Sequence, residues 1–212
     1  LSPRTGIETP EVNPHQAVLI HKDPIMEHLS AALTLSGFNL KHEAISRTPE
    51  RMWEVFEVMT RGYDIDVTLE RMYDDNSPEG SLSTLQIIPG CKFVSMCEHH
   101  FAPFIGEAHV AYLPAEGKVT GLSKIPQLVQ KYALRPQLQE KIGQEIANEL
   151  MGVCKFKDVM VVIEAKHGCE IIEGVKYGYS RDKPYITSTV RGRFETNEKL
   201  RNETMVLMGL QR

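Results

Sequence analysis

Ile87-Ile88-Pro89-Gly90-Cys91-Lys92-Phe93-Val94-Ser95-Met96, followed by Gly106-Glu107-Ala108-His109-Val110-Ala111-Tyr112-Leu113, decides the fold. Both stretches read as β-strands. The second alternates, with His109, Ala111 and Leu113 against Val110 and Tyr112, the period of a strand with two different faces. Working outward, Ser123 to Tyr132 and Gln137 to Leu150 return to helical spacing. Val159 to Ile163 is a third β-rich run, Tyr185 to Phe194 a fourth, and Asn197 to Leu210 closes the chain as a helix. Strands that come in antiparallel-looking pairs with two helices between them indicate an α+β fold rather than a doubly wound sheet.

Upstream the pattern is helical. Asp23 is placed to cap a helix that has Pro24 at its first position, Ile25, Leu29, Ala32 and Leu33 on its apolar face, and Gly37 at its end. A second helix is expected from about Glu43 to Arg61, with Thr48-Pro49 near its start either bending it or resetting its cap. A short helix is expected within Tyr63 to Tyr73, and Asn76 to Gly80 reads as a loop. The organisation expected is therefore an extended or mobile arm over 1–22, a helical region over 23–80, and a catalytic domain over 81–212.

Composition restricts the function classes. The chain has 212 residues, 42% hydrophobic and 25% charged, which suits a globular protein with a sizeable core. A net charge of −4 leaves no basic field for a nucleic-acid backbone, so no nucleic-acid partner is expected. No run approaches the length of a membrane span, so no membrane partner is expected either. Leu1 to Gln16 is polar, carries Pro3, Pro10 and Pro14, and shows no signal-peptide pattern. A cytoplasmic location is the expectation. Four irregularly spaced cysteines do not form a disulfide framework, and in a reducing compartment clustered Cys and His point to metal.

Such a cluster exists. Cys97-Glu98-His99-His100 and His167-Gly168-Cys169 offer two thiolates and three imidazoles. Zinc takes both ligand types, and three protein ligands with one open position is the catalytic arrangement. His167 and Cys169 are two apart and share a face of an extended segment. Cys97 and His100 are three apart, so the chain must turn at Glu98-His99 to bring both round one ion, leaving His99 to point into a cleft. Two cysteines and one histidine as ligands leave two histidines for proton transfer, the pattern of a zinc hydrolase. The H-x-E and P-C-x-x-C signature of zinc deaminases is absent. Cys91, Cys154, His15, His21, His28, His42 and His109 need no function on this reading.

Ser95-Met96-Cys97-Glu98-His99-His100-Phe101, Ala111-Tyr112-Leu113-Pro114, Gly121-Leu122-Ser123-Lys124-Ile125 and Arg135-Pro136-Gln137-Leu138-Gln139-Glu140 stand in the order and spacing of the GTP cyclohydrolase I family. Thr48-Pro49-Glu50-Arg51 upstream and Thr187-Ser188-Thr189 with Gly192 and Phe194 downstream resemble it too. The resemblance implies a tunnelling fold, an antiparallel sheet with helices on one face plus an N-terminal helical extension. It also implies a homo-oligomer, a toroidal decamer with sites between subunits. Cys97, His100 and Cys169 match the family's zinc ligands, and His99 and His167 its proton-transfer histidines. Glu140, with Gln139 beside it, matches the group that holds the guanine edge, Leu122 lies among backbone contacts to the base, and Ser123, Lys124 and Arg51 match residues near ribose and phosphates.

The implied activity is zinc-dependent opening of the imidazole ring of GTP at C8, with release of formate and formation of 7,8-dihydroneopterin triphosphate. This ring opening feeds folate, pterin-cofactor and deazaguanine synthesis alike. The phosphate-binding half departs from the family pattern: Glu173 and Gln127 stand where arginines are usual, Glu54 where a basic residue is common, and the segment from Lys176 to Lys183 is longer. Because triphosphates are held by charge-assisted bonds, these changes raise the alternative of a zinc hydrolase for a less phosphorylated purine or a pterin. A non-catalytic purine- or pterin-binding oligomer has no need of the ligands and spare histidines. A nitrile reductase of the same fold would not need Cys97, His100 and Cys169 together.

Overall fold

The computed structural model describes residues 13–69, 73–74, 84–114, 118–179 and 183–210. By its contacts the chain divides into two units, Leu1–Asp64 and Ile65–Arg212. Residue 80, where the sequence suggested the helical region would end, lies outside the described residues.

Helix α1 (Pro14–Ile20) occupies part of the stretch expected to be an extended arm, whose residues 1–12 lie outside those described. Two local signals form it. The Asn13 side chain accepts from the Gln16 N–H at 2.8 Å, and Pro14 at the first position has no N–H to lose. Tertiary bonds then fix it: Asn13 Nδ2 donates to Asp64 Oδ1 at 2.7 Å, and the buried His15 ring meets the other oxygen of that carboxylate. Helix α2 (Lys22–Leu35) starts one residue before the expected Asp23 cap, with Asp23 in the first turn near the positive end of the dipole. Helix α3 (Thr48–Thr60) begins at Thr48-Pro49 rather than at Glu43. Proline is tolerated only in a first turn, and here it sets that turn. Of the segment Tyr63 to Tyr73, where a short helix was sought, residues 70–72 lie outside those described; a 3-10 turn, Arg61–Tyr63, precedes residues 65–69, which have no regular structure. The Asn76–Gly80 loop lies outside the described residues.

The second unit contains β1 (Tyr73–Asp74), β2 (Gln86–Cys97), β3 (Pro103–Leu113) and β4 (Lys118–Val119), then α4 (Lys124–Ala133), β5 (Pro136–Gln137) and α5 (Gln139–Gly152). After these come β6 (Asp158–His167), α6 (Gly168–Tyr177), β7 (Tyr185–Arg191), α7 (Arg193–Thr196) and α8 (Glu198–Leu207). Five strands form one sheet in the order β5-β2-β3-β6-β7, while β1 pairs with β4. Every pairing is antiparallel except that of the two-residue β5 with β2. This is the expected α+β architecture.

Side-chain alternation divides the two faces. Ala108, Val110, Tyr112, Val159, Val161, Ile163 and Ala165 point to the face covered by α4 and α5, where Ile125, Leu128, Val129, Ile142, Ile146 and Leu150 complete the main core. Ala111, Met160 and Val162 point the other way, to a smaller cluster with Phe194 and Met208 from the C-terminal helices. Helices thus cover one whole face and also one end of the second. Consequently β3 is buried without interruption from Ala108 to Leu113 but alternates from Pro103 to Ile105, beyond the C-terminal helices. The open end of the sheet, bearing exposed Ile105 and Ile186, is also the end where the Cys/His motifs converge.

Candidate metal centre and proton-transfer site

Strand register assembles the site. Met96 at the end of β2 lies opposite Pro103 at the start of β3, and Phe104 lies opposite His167 at the end of β6. The two motifs, far apart in sequence, therefore meet across one intervening strand. The parallel pairing of Cys97 with Gln137 brings the first turn of α5, with Gln139 and Glu140, beside them.

Between β2 and β3 the chain reverses within a few residues. Phe101 N–H donates to Cys97 O at 2.8 Å, Cys97 N–H donates to Ala102 O at 2.9 Å, and Phe101 takes a left-handed φ of 54°. This is the turn that the Cys97–His100 spacing demanded. At the other motif β6 runs into α6 without a loop, His167 being the N-cap residue and Gly168 the first of the helix. A Cβ on Gly168 would lie 2.7 Å from Pro103 O, so only glycine lets this junction approach β3 so closely.

The ligand atoms of Cys97, His100 and Cys169 all lie within 4.8 Å of one another. Cys97 is buried, and its Sγ is 3.7 Å from His100 Nδ1. Burial pushes the Cys169 thiol up, and the facing Cys97 sulfur pushes it further. A cation would reverse this shift of Cys169, since metal binding requires thiolates. Two sulfurs and one imidazole form a donor set that fits zinc. The other cysteines are of a different kind: burial, then a nearby glutamate, pushes Cys91 and Cys154 to about 11 and leaves both inert.

His99 is exposed beside this cluster, its ring edge-on to His100 at 6.1 Å. His167 is sandwiched more tightly. Its ring stacks on Phe104 at 4.4 Å with planes 6° apart, and Tyr185 meets it edge-on at 6.1 Å. Its Nε2 is 2.8 Å from Gln139 Oε1. Gln139 is 1% exposed, and its Nε2 donates to Ile163 O at 3.0 Å, Tyr185 O at 3.1 Å and Thr187 Oγ1 at 3.2 Å. Two backbone carbonyls can only accept, so the amide nitrogen must face them and Oε1 must face the histidine. His167 Nε2 therefore carries its hydrogen, and proton exchange is left to Nδ1. Burial lowers the His167 pKa, against the opposing pull of Glu170 and Glu140.

Glu140 is exposed and its Oε1 accepts from the Tyr185 hydroxyl at 2.9 Å. Leu122 and Ser123 are exposed just before α4, and Lys124 Nζ, on its first residue, lies 3.5 Å from Gln127 Oε1. Arg51 is an exposed residue of α3 in the N-terminal unit. The structure thus gathers Cys97, His99, His100, His167, Cys169, Gln139 and Glu140 at one sheet end. It turns the Gln139 side chain inward, toward His167. Sequence reasoning did not identify Phe104 and Tyr185, which reach the site only through cross-strand register and belong to no motif.

An antiparallel sheet that carries at its open end a thiol–imidazole cluster able to hold a metal ion, with a hydrogen-bonded histidine beside it, defines the class of this α+β protein. A family model for GTP cyclohydrolase I matches residues 25–209. The chain is 38% identical over 195 residues to GTP cyclohydrolase 1 of Carboxydothermus hydrogenoformans, covering 91% of this chain and 97% of that protein. It is 40% identical over 176 residues to GTP cyclohydrolase 1 of Campylobacter jejuni subsp. doylei, covering 83% and 90%. Against GTP cyclohydrolase 1 of Listeria innocua it is 38% identical over 191 residues, covering 89% and 97%. The chain belongs to the GTP cyclohydrolase I family.

Proposed function

We propose that the protein is a zinc-dependent GTP cyclohydrolase I, opening the imidazole ring of GTP at C8, releasing formate and forming 7,8-dihydroneopterin triphosphate. The observation that carries this is the gathering of Cys97, His100 and Cys169 within 4.8 Å, in a chain of this family. These three residues would hold the ion, and zinc bound there supplies Lewis acidity that makes water a competent nucleophile near neutral pH.

The chain's own groups account for the rest. His167 has Nε2 committed to Gln139, so Nδ1 is the atom that gives a proton to N7 of the purine, making C8 more electrophilic. The donor is the imidazolium, protonated at both nitrogens; burial lowers its pKa, which makes it a stronger acid and a less populated form, while Glu170 and Glu140 pull the other way. His99, exposed beside the cluster, exchanges protons as the ring opens. Glu140 has one oxygen held by Tyr185, and its carboxylate accepts from the N1–H and 2-amino group of guanine, a donor pair that adenine does not offer. Ser123, Lys124 and Arg51 serve the ribose and phosphates, and Leu122 borders the base.

The exposed apolar residues Ile171, Ile172, Val175 and Tyr177 on α6 support a homo-oligomer, with the toroidal decamer of the family as the arrangement proposed. Among the described residues no helix is long and apolar enough to cross a membrane. Four free cysteines, two of them needed as thiolates, suit the reducing cytoplasm. A less phosphorylated substrate draws no support from relatives named GTP cyclohydrolase 1.

The deciding experiment is turnover of GTP by the zinc-loaded protein, read as formate release and pterin absorbance, with guanosine, GMP and dGTP alongside. Formate and pterin from GTP are expected. A fully metallated oligomer that leaves GTP intact refutes the assignment.

A further inference from the structure

Glu173 occupies a position where the family resemblance leads one to expect an arginine, and the structure sets it against a residue of the metal cluster. Cys169 and Glu173 are four apart on α6, so they share a helix face. His100 lies against that face. One edge of its ring, Nδ1, is 3.7 Å from Cys97 Sγ, and the opposite nitrogen, Nε2, is 3.9 Å from Glu173 Oε1. An imidazole with one nitrogen toward a ligand sulfur and the other toward a carboxylate is arranged as metal-binding histidines usually are. There the second N–H goes to an acceptor that fixes tautomer and ring orientation and strengthens the ligand.

We propose that Glu173 is the positioning residue of the metal centre: its carboxylate takes the Nε2–H of His100, holds the ring with the Nδ1 lone pair toward the ion, and adds a negative charge that favours a cation. This rests on reading Cys97, His100 and Cys169 as the ligands. The 3.9 Å separation exceeds a hydrogen bond. Both side chains are 49% exposed, which leaves the end of Glu173 room to turn toward the ring. The same carboxylate repels phosphate, so at this position the chain exchanges a substrate contact for a grip on the metal.

The test uses the full-length protein loaded with Zn2+ or Co2+, as wild type, Glu173→Ala, Glu173→Gln and Cys169→Ser. Metal affinity is measured by chelator competition. The solvent-exchangeable ring N–H resonance of His100 is followed in the Co2+ protein by its disappearance in D2O. Glu173→Ala leaves a half-exposed helix position with a good helix former, so the variant folds. It is expected to weaken metal binding about 10- to 100-fold and to speed exchange of the ring N–H. Glu173→Gln, which still accepts the hydrogen bond, recovers part of both. Wild-type affinity and exchange in Glu173→Ala, with metal lost in Cys169→Ser, overturn the role of Glu173 and leave the ligand set standing. Full metal stoichiometry in Cys169→Ser overturns the ligand set and this proposal with it.

Discussion

Replacing Gln139 by methionine separates what holds the site from what performs the chemistry. Methionine has nearly the same length but neither donates nor accepts strongly, so four hydrogen bonds disappear from a side chain that is 1% exposed. The Ile163 carbonyl, on a buried strand, cannot turn to water, and an orphaned buried acceptor costs about 1–3 kcal/mol. Tyr185 and Thr187 lie where solvent can replace the lost donor, at well under about 1 kcal/mol each. Summing these, the fold should lose about 1–4 kcal/mol, read as a lower denaturant midpoint at unchanged slope. His167 loses the acceptor that dictates its tautomer and, although still stacked on Phe104, is free to turn in its plane. General acid–base catalysis contributes about 10²–10⁴-fold, and losing orientation forfeits part of that. At saturating GTP, kcat for formate release should fall at least about tenfold, while metal content stays at the wild-type level because no ligand has changed. A metallated Gln139→Met protein with wild-type kcat would refute the claim that Gln139 sets the working geometry of His167.

Three further outcomes are expected. His167→Ala should retain zinc and lose ring opening, whereas Cys169→Ser should lose the metal; elemental analysis beside formate release distinguishes the two, and loss of zinc in His167→Ala reverses the assigned roles. Gly106→Ala should destabilise the protein by about 1–3 kcal/mol or more, because the new Cβ would sit 2.2 Å from Glu164 O and 2.6 Å from Ala165 Cβ and force β3 and β6 apart; an unchanged melting temperature contradicts this. His109 is buried, its Nδ1 accepting from the Gly90 N–H at 3.3 Å, and burial lowers its pKa from 6.5 against the opposing pull of Glu164 and Glu107. The unfolded chain therefore takes up a proton that the folded one refuses, so stability is full above pH 6.5 and falls as the pH drops below it. His109→Gln should flatten that slope in denaturation curves collected between about pH 7 and 5; equal slopes count against it.

The strands and the convergence of Cys97, His100 and Cys169 were legible because both rest on local signals. The alternation His109, Ala111, Leu113 against Val110, Tyr112 is the signature of β3. The spacing of Cys97, His100 and Cys169 already required a turn after the first cysteine, and the Phe101 N–H to Cys97 O bond supplies it. What escaped notice depends on partners distant in sequence. Helix α1 was hidden among prolines and polar residues, since its hold on Asp64 comes through Asn13 and His15 rather than an apolar stripe. The part played by Gln139 could not be read from its neighbour Glu140, because burial of an amide becomes intelligible only once Ile163, Tyr185 and Thr187 are known to lie above α5. Tyr185 enters the site because β7 pairs with β6 in the register that sets it opposite Ala165. The role of Glu173 needed the helix that begins at Gly168 and the turn that aims His100 at it.

The absence of any loop between β6 and α6 also governs when, during synthesis, the centre can exist. A nascent chain that has emerged as far as the Cys97–His100 turn has two of its three ligand groups, but the third waits for β3, α4, α5 and β6 to follow. Even then Cys169 reaches the others only if β6 docks on β3 with His167 opposite Phe104. A slip of one residue turns each side chain of β6 to the other face, and the rigid junction would carry Cys169 away with it. An ion held by all three groups would therefore report on the sheet: a released chain could take it up only with its central strands in the correct register.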